Sequence, residues 1–394
     1  MQALLASLPL LGMAQFTLSG KVTDRKSNEI LAGAHIILDH TFHIVISTND
    51  GNYEIRNLKP GNYTLFTSYL GYKTDTANIK IEKNSRLNIA LQSTYILENE
   101  VEVRATRAGS QTPVAHQEII KKEISDVNFG QDLPILIGNS ISAVTTSDAG
   151  NGMGYTAIRI RGTDMTRINV TVNGIPLNDP ESHNVYWVDL PDFASSTDNI
   201  QIQRGVGTST NGASAFGASI NLQSATIKPE PYSEYSGAFG SFNSLKNSLS
   251  FGTGLIHNKF TFDGRISKLT SDGFIDRASS NLFSYYLSGS YSSDKNLVRI
   301  NIFSGKEKTY QAWDGIPSEI LSSNRTYNGM GAYFDLKGNL KYYSNETDNY
   351  TQTHYQALFS HQFHRNLILH TAVHLTKGSG YYEQYRENDE LSNY

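Results

Sequence analysis

The sequence predicts a mainly β chain: a small β-sandwich, then an α+β domain, then part of a transmembrane antiparallel β-barrel. Over residues 16–93, short runs of alternating apolar and polar residues are separated by Gly, Asn, Asp and Pro, as in a sandwich. Residues 114–226 mix two short helical patterns with a few strands and a Gly-rich stretch. From Ser233 onward, alternating segments near ten residues long are rich in Tyr and Phe, the weak pattern of a membrane barrel.

The composition excludes several classes of protein. With no cysteine among its 394 residues, the chain has no disulfide, thiolate nucleophile or thiolate metal site. A net charge of −4 argues against nucleic acid as a partner. No run of eighteen apolar residues occurs, which excludes a membrane-spanning helix.

Residues 1–14 predict a secretory signal peptide. MQALLASLPLLGMAQ is apolar, and cleavage after Ala14 suits the small residues Gly12 and Ala14. The basic segment that normally precedes such a stretch is missing. A start truncated ahead of this segment and a plain apolar tail are both open alternatives.

Residues 15–93 predict the sandwich. Turn residues precede a strand in which Tyr53 and Ile55 share one face, and the same pattern recurs ten residues later. This stretch, DGNYEIRNLKPGNYTLFTSYLGYKT, resembles the carboxypeptidase regulatory-like domain of exported proteins. The resemblance implies a seven-stranded accessory module without catalytic residues.

Residues 114–226 predict an α+β domain with a small mixed sheet. A helix starts over Ile119–Ile124 and another covers Gln131–Ile137, interrupted by Pro134; a turn follows at Pro191-Asp192. In AIRIRGTDMTRINVTVNGIPLND, residues 157–179, alternation predicts a hairpin-like pair of strands.

Three motifs of this domain resemble the plug domain of TonB-dependent outer-membrane receptors. They are IRIRG at 158–162, VTVNGIPLND at 170–179 and IQIQRGVGTSTNGASAFGASINLQS at 200–224. The GVG at 205–207 lacks the lysine and the βαβ context of a phosphate-binding loop.

Residues 227–394 predict seven or eight barrel strands. Seven of the 23 tyrosines precede residue 226 and sixteen follow it, as the aromatic girdles of a barrel would require. An eight-stranded barrel has no room for a plug, whereas barrels of about 22 strands do. We therefore expect the chain to be a fragment of a longer receptor; a soluble sandwich or propeller is the alternative for this region.

The resemblance implies a receptor of the Gram-negative outer membrane that actively takes up a scarce extracellular small ligand. The implied ligand is an iron complex (siderophore) or cobalamin, or alternatively a glycan. The implied partners are outer-membrane lipid and the periplasmic protein TonB, with ExbB and ExbD. The linker 94–113 would carry the TonB box, an extended segment suited to pairing with a sheet edge. We place the box in EVEVRAT, with a plain linker strand as the alternative: Glu100, Val101, Glu102, Val103, Arg104 and Ala105.

Arginines of the second domain are candidates for contacts between plug and barrel. Alternation places Arg159 and Arg161 on one side of a strand, where they need an acidic or aqueous partner. The resemblance assigns Arg161 and Arg204 to plug positions that meet barrel carboxylates, and Arg159 fits less firmly. An arginine guanidinium suits this contact because it can form two parallel hydrogen bonds to one carboxylate. Solvent-exposed arginines on a free domain are the alternative.

The longest polar insertion between barrel strands, residues 306–331, is a candidate ligand loop. Tyr310, Trp313 and Tyr327 would contact the ligand there, or else pack within the barrel mouth. Late histidines suggest a metal site, but more often such residues are ordinary strand residues, so we expect no metal and no cofactor: His354, His361, His364, His370 and His374.

No catalytic constellation occurs in the sequence. There is no Ser-His-Asp spacing, no H-E-x-x-H and no paired carboxylates in a motif. We therefore do not expect an enzyme. The alternative to a transport receptor is a surface-binding or adhesin module without transport, and the ligand itself cannot be inferred from a shared fold.

Overall fold

The computed structural model describes residues 15–25, 28–39, 44–69, 72–92, 107–109, 112–140, 142–206, 216–224, 227–257, 259–293, 295–364, 367–386 and 389–390. The predicted signal peptide (1–14) and TonB box (100–105) lie outside these ranges. The chain divides into two units, Met1–Ile96 and Leu97–Tyr394. Within the described ranges, no helix is long and apolar enough to cross a membrane.

The first unit is a β-sandwich, as the alternation predicts. One sheet has the order β4-β1-β7 with β8 also paired to β1, and the other has the order β3-β2-β5-β6. Tyr53 and Ile55 lie in the same core as Leu18 and Leu65, which confirms their shared buried face. The strands are β1 (Phe16–Asp24), β2 (His35–Leu38), β3 (Ile44–Ile46), β4 (Asn52–Leu58), β5 (Gly61–Ser68), β6 (Asp75–Ile81), β7 (Ser85–Arg86) and β8 (Ile89–Leu91).

The second unit begins with the α+β domain. Its mixed sheet has the order β13-β12-β15-β14-β9, and β10 and β11 form a separate pair. Strand β12 runs parallel to β15, and the other pairs are antiparallel. The elements are β9 (His116–Ile120), α1 (Lys121–Val127), α2 (Leu133–Ile137), β10 (Ala143–Ser147), β11 (Thr156–Ile160), β12 (Ile168–Val172), β13 (Ile175–Pro176), β14 (Thr197–Arg204) and β15 (Ala218–Ser224).

Local details of this domain differ from the sequence prediction. Ile119 and Ile120 end a strand, so the first helix begins only at Lys121. Pro134 lies in the first turn of α2, where its missing N–H costs nothing, and does not interrupt the helix. Strands β11 and β12 do not pair with each other, because β11 pairs with β10 and β12 with β13 and β15.

The rest of the unit is a seven-stranded antiparallel sheet, here called the wall. It has the order β16-β17-β18-β19-β20-β23-β24, and the loop between β20 and β23 carries a helix and a small hairpin. These elements are β16 (Tyr232–Gly240), β17 (Ser244–Gly252), β18 (Phe260–Ser271), β19 (Ser280–Ser292), β20 (Asn296–Tyr310), α3 (Ser318–Leu321), β21 (Ala332–Phe334), β22 (Leu340–Tyr342), β23 (Thr347–His364) and β24 (Leu367–Glu383).

The two faces of the wall are opposite in polarity to those of a soluble sheet. Ser267, Ser284 and Asn301 are buried on the face that meets the α+β domain, whereas Phe262 and Leu287 are exposed on the other. An apolar outer face and a polar inner face are typical of transmembrane barrels. The wall therefore has the character of part of such a barrel.

Candidate functional site

The α+β domain is seated on the polar face of the wall through residues 187–196. This segment contains two 3₁₀ turns, Trp187–Asp189 and Phe193–Ser196. The ring of Phe193 packs 5.0 Å from that of Phe303 in β20. Ser284 of β19 donates its hydroxyl proton to the carbonyl oxygen of Pro191, at 2.6 Å. The contact therefore combines aromatic packing with hydrogen bonds from the wall.

Asp192 is the centre of a buried ion cluster in this contact. Its Oδ1 lies 2.8 Å from Lys246 Nζ of β17, and its Oδ2 lies 3.3 Å from Arg265 Nη1 of β18. The side chains of all three are at most 3% exposed. Buried charges of this kind are tolerated only when they are paired and hydrogen-bonded.

Hydrogen bonds complete the shell around this carboxylate. Ser195 Oγ donates to Oδ1 at 2.6 Å, and Ser267 Oγ of the wall donates to Oδ2 at 2.6 Å. Asn128 Nδ2 donates to Oδ1 at 3.1 Å. Burial alone would raise the pKa of Asp192, but Arg265 and Lys246 outweigh burial and hold this pKa well below its ordinary range. Asp192 is therefore a carboxylate at neutral pH.

The arginines that the sequence predicts to contact the barrel do not belong to the Asp192 cluster. Arg159 is exposed in β11, and Arg161 follows that strand with a φ of 52°. Because this residue is left-handed, strand alternation does not extend to Arg161, and the prediction of one shared strand face is wrong. The Nη1 of Arg161 lies beside Gly205, the residue after Arg204.

No carboxylate among the described residues lies within 4 Å of Arg159, Arg161 or Arg204. Arg204 Nη1 is buried and has no hydrogen-bond partner in the described part of the chain. Asp192, Lys246 and Arg265 are not among the contact residues predicted from the sequence. Lys246 and Arg265 could have been recognised from the sequence, because each is a basic residue among small polar residues on one face of an amphipathic strand.

The predicted ligand loop starts later than expected, because β20 continues to Tyr310. Tyr310 is 8% exposed, and its hydroxyl donates to the carbonyl oxygen of Tyr343 at 2.9 Å. Tyr327 is half-buried. Trp313 is exposed, and its ring meets Tyr155 of the α+β domain edge-on at 5.5 Å. Trp313 thus lies against the α+β domain.

A cavity of 660 Å³ lies between the α+β domain and strands β20, β23 and β24. Its lining includes Tyr155, Asp189, Glu307, Asp348, Tyr350 and His374. Burial, followed by the nearby carboxylate of Asp348, raises the pKa of Asp189 to about 7. Among the described residues, no three His, Asp or Glu side chains are grouped so that they could hold a metal ion.

Two family models match the chain. Residues 18–103 match the CarboxypepD_reg-like domain, and residues 108–219 match the TonB-dependent receptor plug domain. The α+β domain is thus a plug domain, and the sandwich is a carboxypeptidase regulatory-like domain. No curated protein matches the chain in sequence.

Solved outer-membrane receptors share its fold at low identity. The closed form of the ferric-catecholate import receptor Fiu from Escherichia coli is 19% identical, with a TM-score of 0.56, over 70% of this chain and 38% of Fiu. The alcaligin receptor FauA from Bordetella pertussis is 13% identical, with a TM-score of 0.53, over 73% of this chain and 44% of FauA. The pyoverdine receptor FpvA from Pseudomonas aeruginosa is 13% identical, with a TM-score of 0.53, over 69% of this chain and 38% of FpvA. The chain thus spans less than half the length of these receptors.

Proposed function

We propose that the chain takes up a scarce small ligand across the outer membrane of a Gram-negative bacterium. Its TonB-dependent receptor plug domain supports this proposal. The proposal depends on one observation: the plug domain packs against the polar face of the wall, and the opposite face of the wall is apolar. A plug held in this way closes a pore, and its release opens one. The matched plug domain belongs to receptors, so we propose no catalytic activity.

An iron complex, or alternatively cobalamin, is the ligand class to test first. The solved structures of similar fold include receptors for ferric catecholate, alcaligin and pyoverdine, which supports this choice. A glycan is the second class. Trp313 and Tyr327 would face the ligand from the loop, and Tyr310 would support that loop through its hydrogen bond to Tyr343.

Energy would reach the receptor through TonB, working with ExbB and ExbD. Residues 100–105 precede the plug domain and alternate in the way that an added β-strand requires. In this proposal they pair with TonB, which then pulls on the chain ahead of the plug. Arg161, Arg204 and Arg159 would meet carboxylates of the barrel and hold the plug until that pull arrives.

Proline substitution in residues 100–105 tests this proposal. In cells without other receptors for the probes, we expect the chain to accumulate iron-55-labelled ferric catecholate or cobalt-57-labelled cobalamin. Replacing both Val101 and Val103 with Pro removes two backbone donors, so accumulation should fall to the level of cells without TonB, while surface binding persists. The matched control replaces both residues with Thr, which retains strand preference and should retain uptake.

Two results would contradict the proposal. Accumulation that survives the proline variant would exclude strand pairing at residues 100–105. A wild-type chain that binds a probe but never accumulates it would favour a surface-binding module.

A further inference from the structure

The cavity between the plug domain and the wall has the dimensions of a small-molecule site. Its 660 Å³ falls in the range of about 300–1,000 Å³ found for ligand pockets. Leu177 and Val185 of the plug domain and Leu375 of β24 supply apolar lining, and Tyr155 and Tyr350 supply aromatic rings. The lining therefore offers a surface for the body of a ligand and a few polar groups to orient it.

The polar lining contains two histidines, His354 and His374, the half-buried Asp179, and three further acids. Asp189 comes from the plug domain, Glu307 from β20 and Asp348 from β23. Glu307 and Asp189 are 2% and 4% exposed. Glu307 accepts a hydrogen bond from Thr309 Oγ1 at 3.2 Å, and Asp348 accepts one from the hydroxyl of Tyr155.

Asp189 differs from the other two acids because its Oδ1 is buried and has no hydrogen-bond partner among the described residues. A buried carboxylate oxygen without a partner is unfavourable by roughly 1–3 kcal/mol or more. Its neighbours do not relieve this cost, since Asp348 adds a second negative charge. The site thus lacks a hydrogen-bond donor or a positive charge at Asp189.

No cationic side chain of the described residues pairs with these three acids, although His354 and His374 also line the cavity. In the described ranges, no Lys, Arg or His nitrogen lies within 4 Å of Asp189, Glu307 or Asp348. The neighbouring lysines of β20, Lys306 and Lys308, are exposed on the opposite face of that strand. Since no three ligands are grouped for a metal ion in the described part of the chain, the charge pattern favours an organic cation.

We propose that this cavity selects a small organic cation, with an ammonium or guanidinium group at Asp189 and an apolar or aromatic body against the plug domain. The proposal rests on the uptake function proposed above and names the charge of the ligand. A charge-assisted hydrogen bond to Asp189 would satisfy its free oxygen. The ring of Tyr155 or Tyr350 can add cation–π attraction. An iron complex meets this requirement when its chelator carries an amine or guanidinium.

Three probes with the same aromatic body and different charge test the proposal. Phenethylamine is a cation, phenethyl alcohol is neutral and hydrocinnamate is an anion at neutral pH. Their dissociation constants are measured by calorimetry on the detergent-purified chain. We expect the cation to bind about tenfold more tightly than the alcohol, as one charge-assisted hydrogen bond provides. The anion should bind most weakly.

Variants then locate the effect. Asp189→Asn should bring the cation and the alcohol to nearly equal affinity, and Asp348→Asn, which alters another acid of the lining, should reduce the preference if the first variant fails to fold. Asp126→Asn is the matched control, because it removes an exposed carboxylate on α1 that does not line the cavity. This control should leave the tenfold ratio unchanged.

Equal binding of the three probes, preference for the anion, or no binding at all would overturn the proposal. A cation preference that survives both Asp189→Asn and Asp348→Asn would also overturn it. The measurement needs neither TonB nor a membrane gradient. Its failure is therefore distinct from failure of uptake, which the substitutions at Val101 and Val103 test separately.

Discussion

One buried carboxylate of the plug domain, Asp192, is paired with two bases of the wall. Asp192 has a φ of 52° and lies next to Pro191 in a turn, a position that aims its side chain between Lys246 and Arg265. The polarity of this cluster is opposite to the one expected from the sequence, since here the acid is on the plug domain and the bases are on the wall.

Removing this carboxylate should weaken the domain. Asp192→Ala leaves Lys246 and Arg265 buried without a counter-charge, and breaking a buried ion pair in this way costs about 3–5 kcal/mol. We expect the free energy of unfolding of the plug domain to fall by this amount. Urea unfolding of the purified chain, followed by the fluorescence of the buried Trp187 in a Trp313→Phe background, measures it.

Asp164→Ala is the control for this measurement, because Asp164 is exposed and its carboxylate caps only the short turn at Met165–Arg167. Its effect should stay near 1 kcal/mol, as for an ordinary cap. Equal effects of the two variants would contradict a special role for Asp192.

The turn at Pro191-Asp192 was predictable from the sequence, but the ion pairs of Asp192 were not. A turn is encoded by adjacent residues, whereas the partners of Asp192 come from two later strands. Arg159 and Arg161 show the related limit. The alternating pattern predicts that both side chains lie on one strand face. The strand ends before Arg161, however, and the side chain of Arg161 lies beside Gly205.

At the scale of elements, β20 and the 3₁₀ turn Trp187–Asp189 approach each other as closely as their backbones allow. A Cβ added at Gly305 would lie 2.0 Å from the carbonyl oxygen of Asp189, a contact that only glycine permits. This approach brings Asp189 to the edge of the acidic cavity.

Gly305→Ala should separate these two elements. Because the opposing atom belongs to the backbone, it cannot rotate away, and we expect a loss of about 1–3 kcal/mol in the free energy of unfolding of the plug domain. The same Trp187 fluorescence measures this loss. Gly289→Ala on β19 is the matched control, since its Cβ would lie 3.5 Å from Phe262, an ordinary contact. Equal urea midpoints for the two variants would contradict a close backbone contact between Gly305 and Asp189.

Secondary-structure elements were predictable where neighbouring residues determine them. Asn173-Gly174 makes the predicted tight turn, with both φ angles positive, between β12 and β13. The pairing of β12 with β15 was not predictable in this way, because its partner lies far along the chain. The strand pattern of the wall was correct, but the end of β20 was not, since Tyr310 is as suited to a strand as to a loop.

At the scale of the whole molecule, the wall has an apolar outer face and a polar inner face, and the plug domain occupies the inner one. Arg161 Nη1 lies beside Gly205, the residue after Arg204, and no carboxylate among the described residues lies within 4 Å of either arginine. The uptake proposal assigns both arginines partners on the barrel.

Reversing the charge at Arg161 tests that assignment. In the outer membrane, Arg161→Glu should loosen the plug and let a large antibiotic such as vancomycin enter. A loss of ~1.4 kcal/mol would raise the open population about tenfold. The inhibitory concentration should fall accordingly. Lys122→Glu, an exposed charge reversal on α1, is the control. Unchanged sensitivity in both variants would mean that Arg161 does not retain the plug.

The position of β9 determines how the plug domain responds to mechanical force. It is the edge strand of the mixed sheet, and His116, its first residue, pairs with Gln203 at one end of β14. A pull on the chain ahead of residue 107 first loads Ala108, which two hydrogen bonds join to the side chain of Gln201 in β14. Once these bonds break, the load reaches the His116 end of β9, and the backbone hydrogen bonds between β9 and β14 then break one after another. Such unzipping needs far less force than shearing the whole strand. The domain can therefore begin to open at β9 while Asp192 still anchors the remainder to the wall.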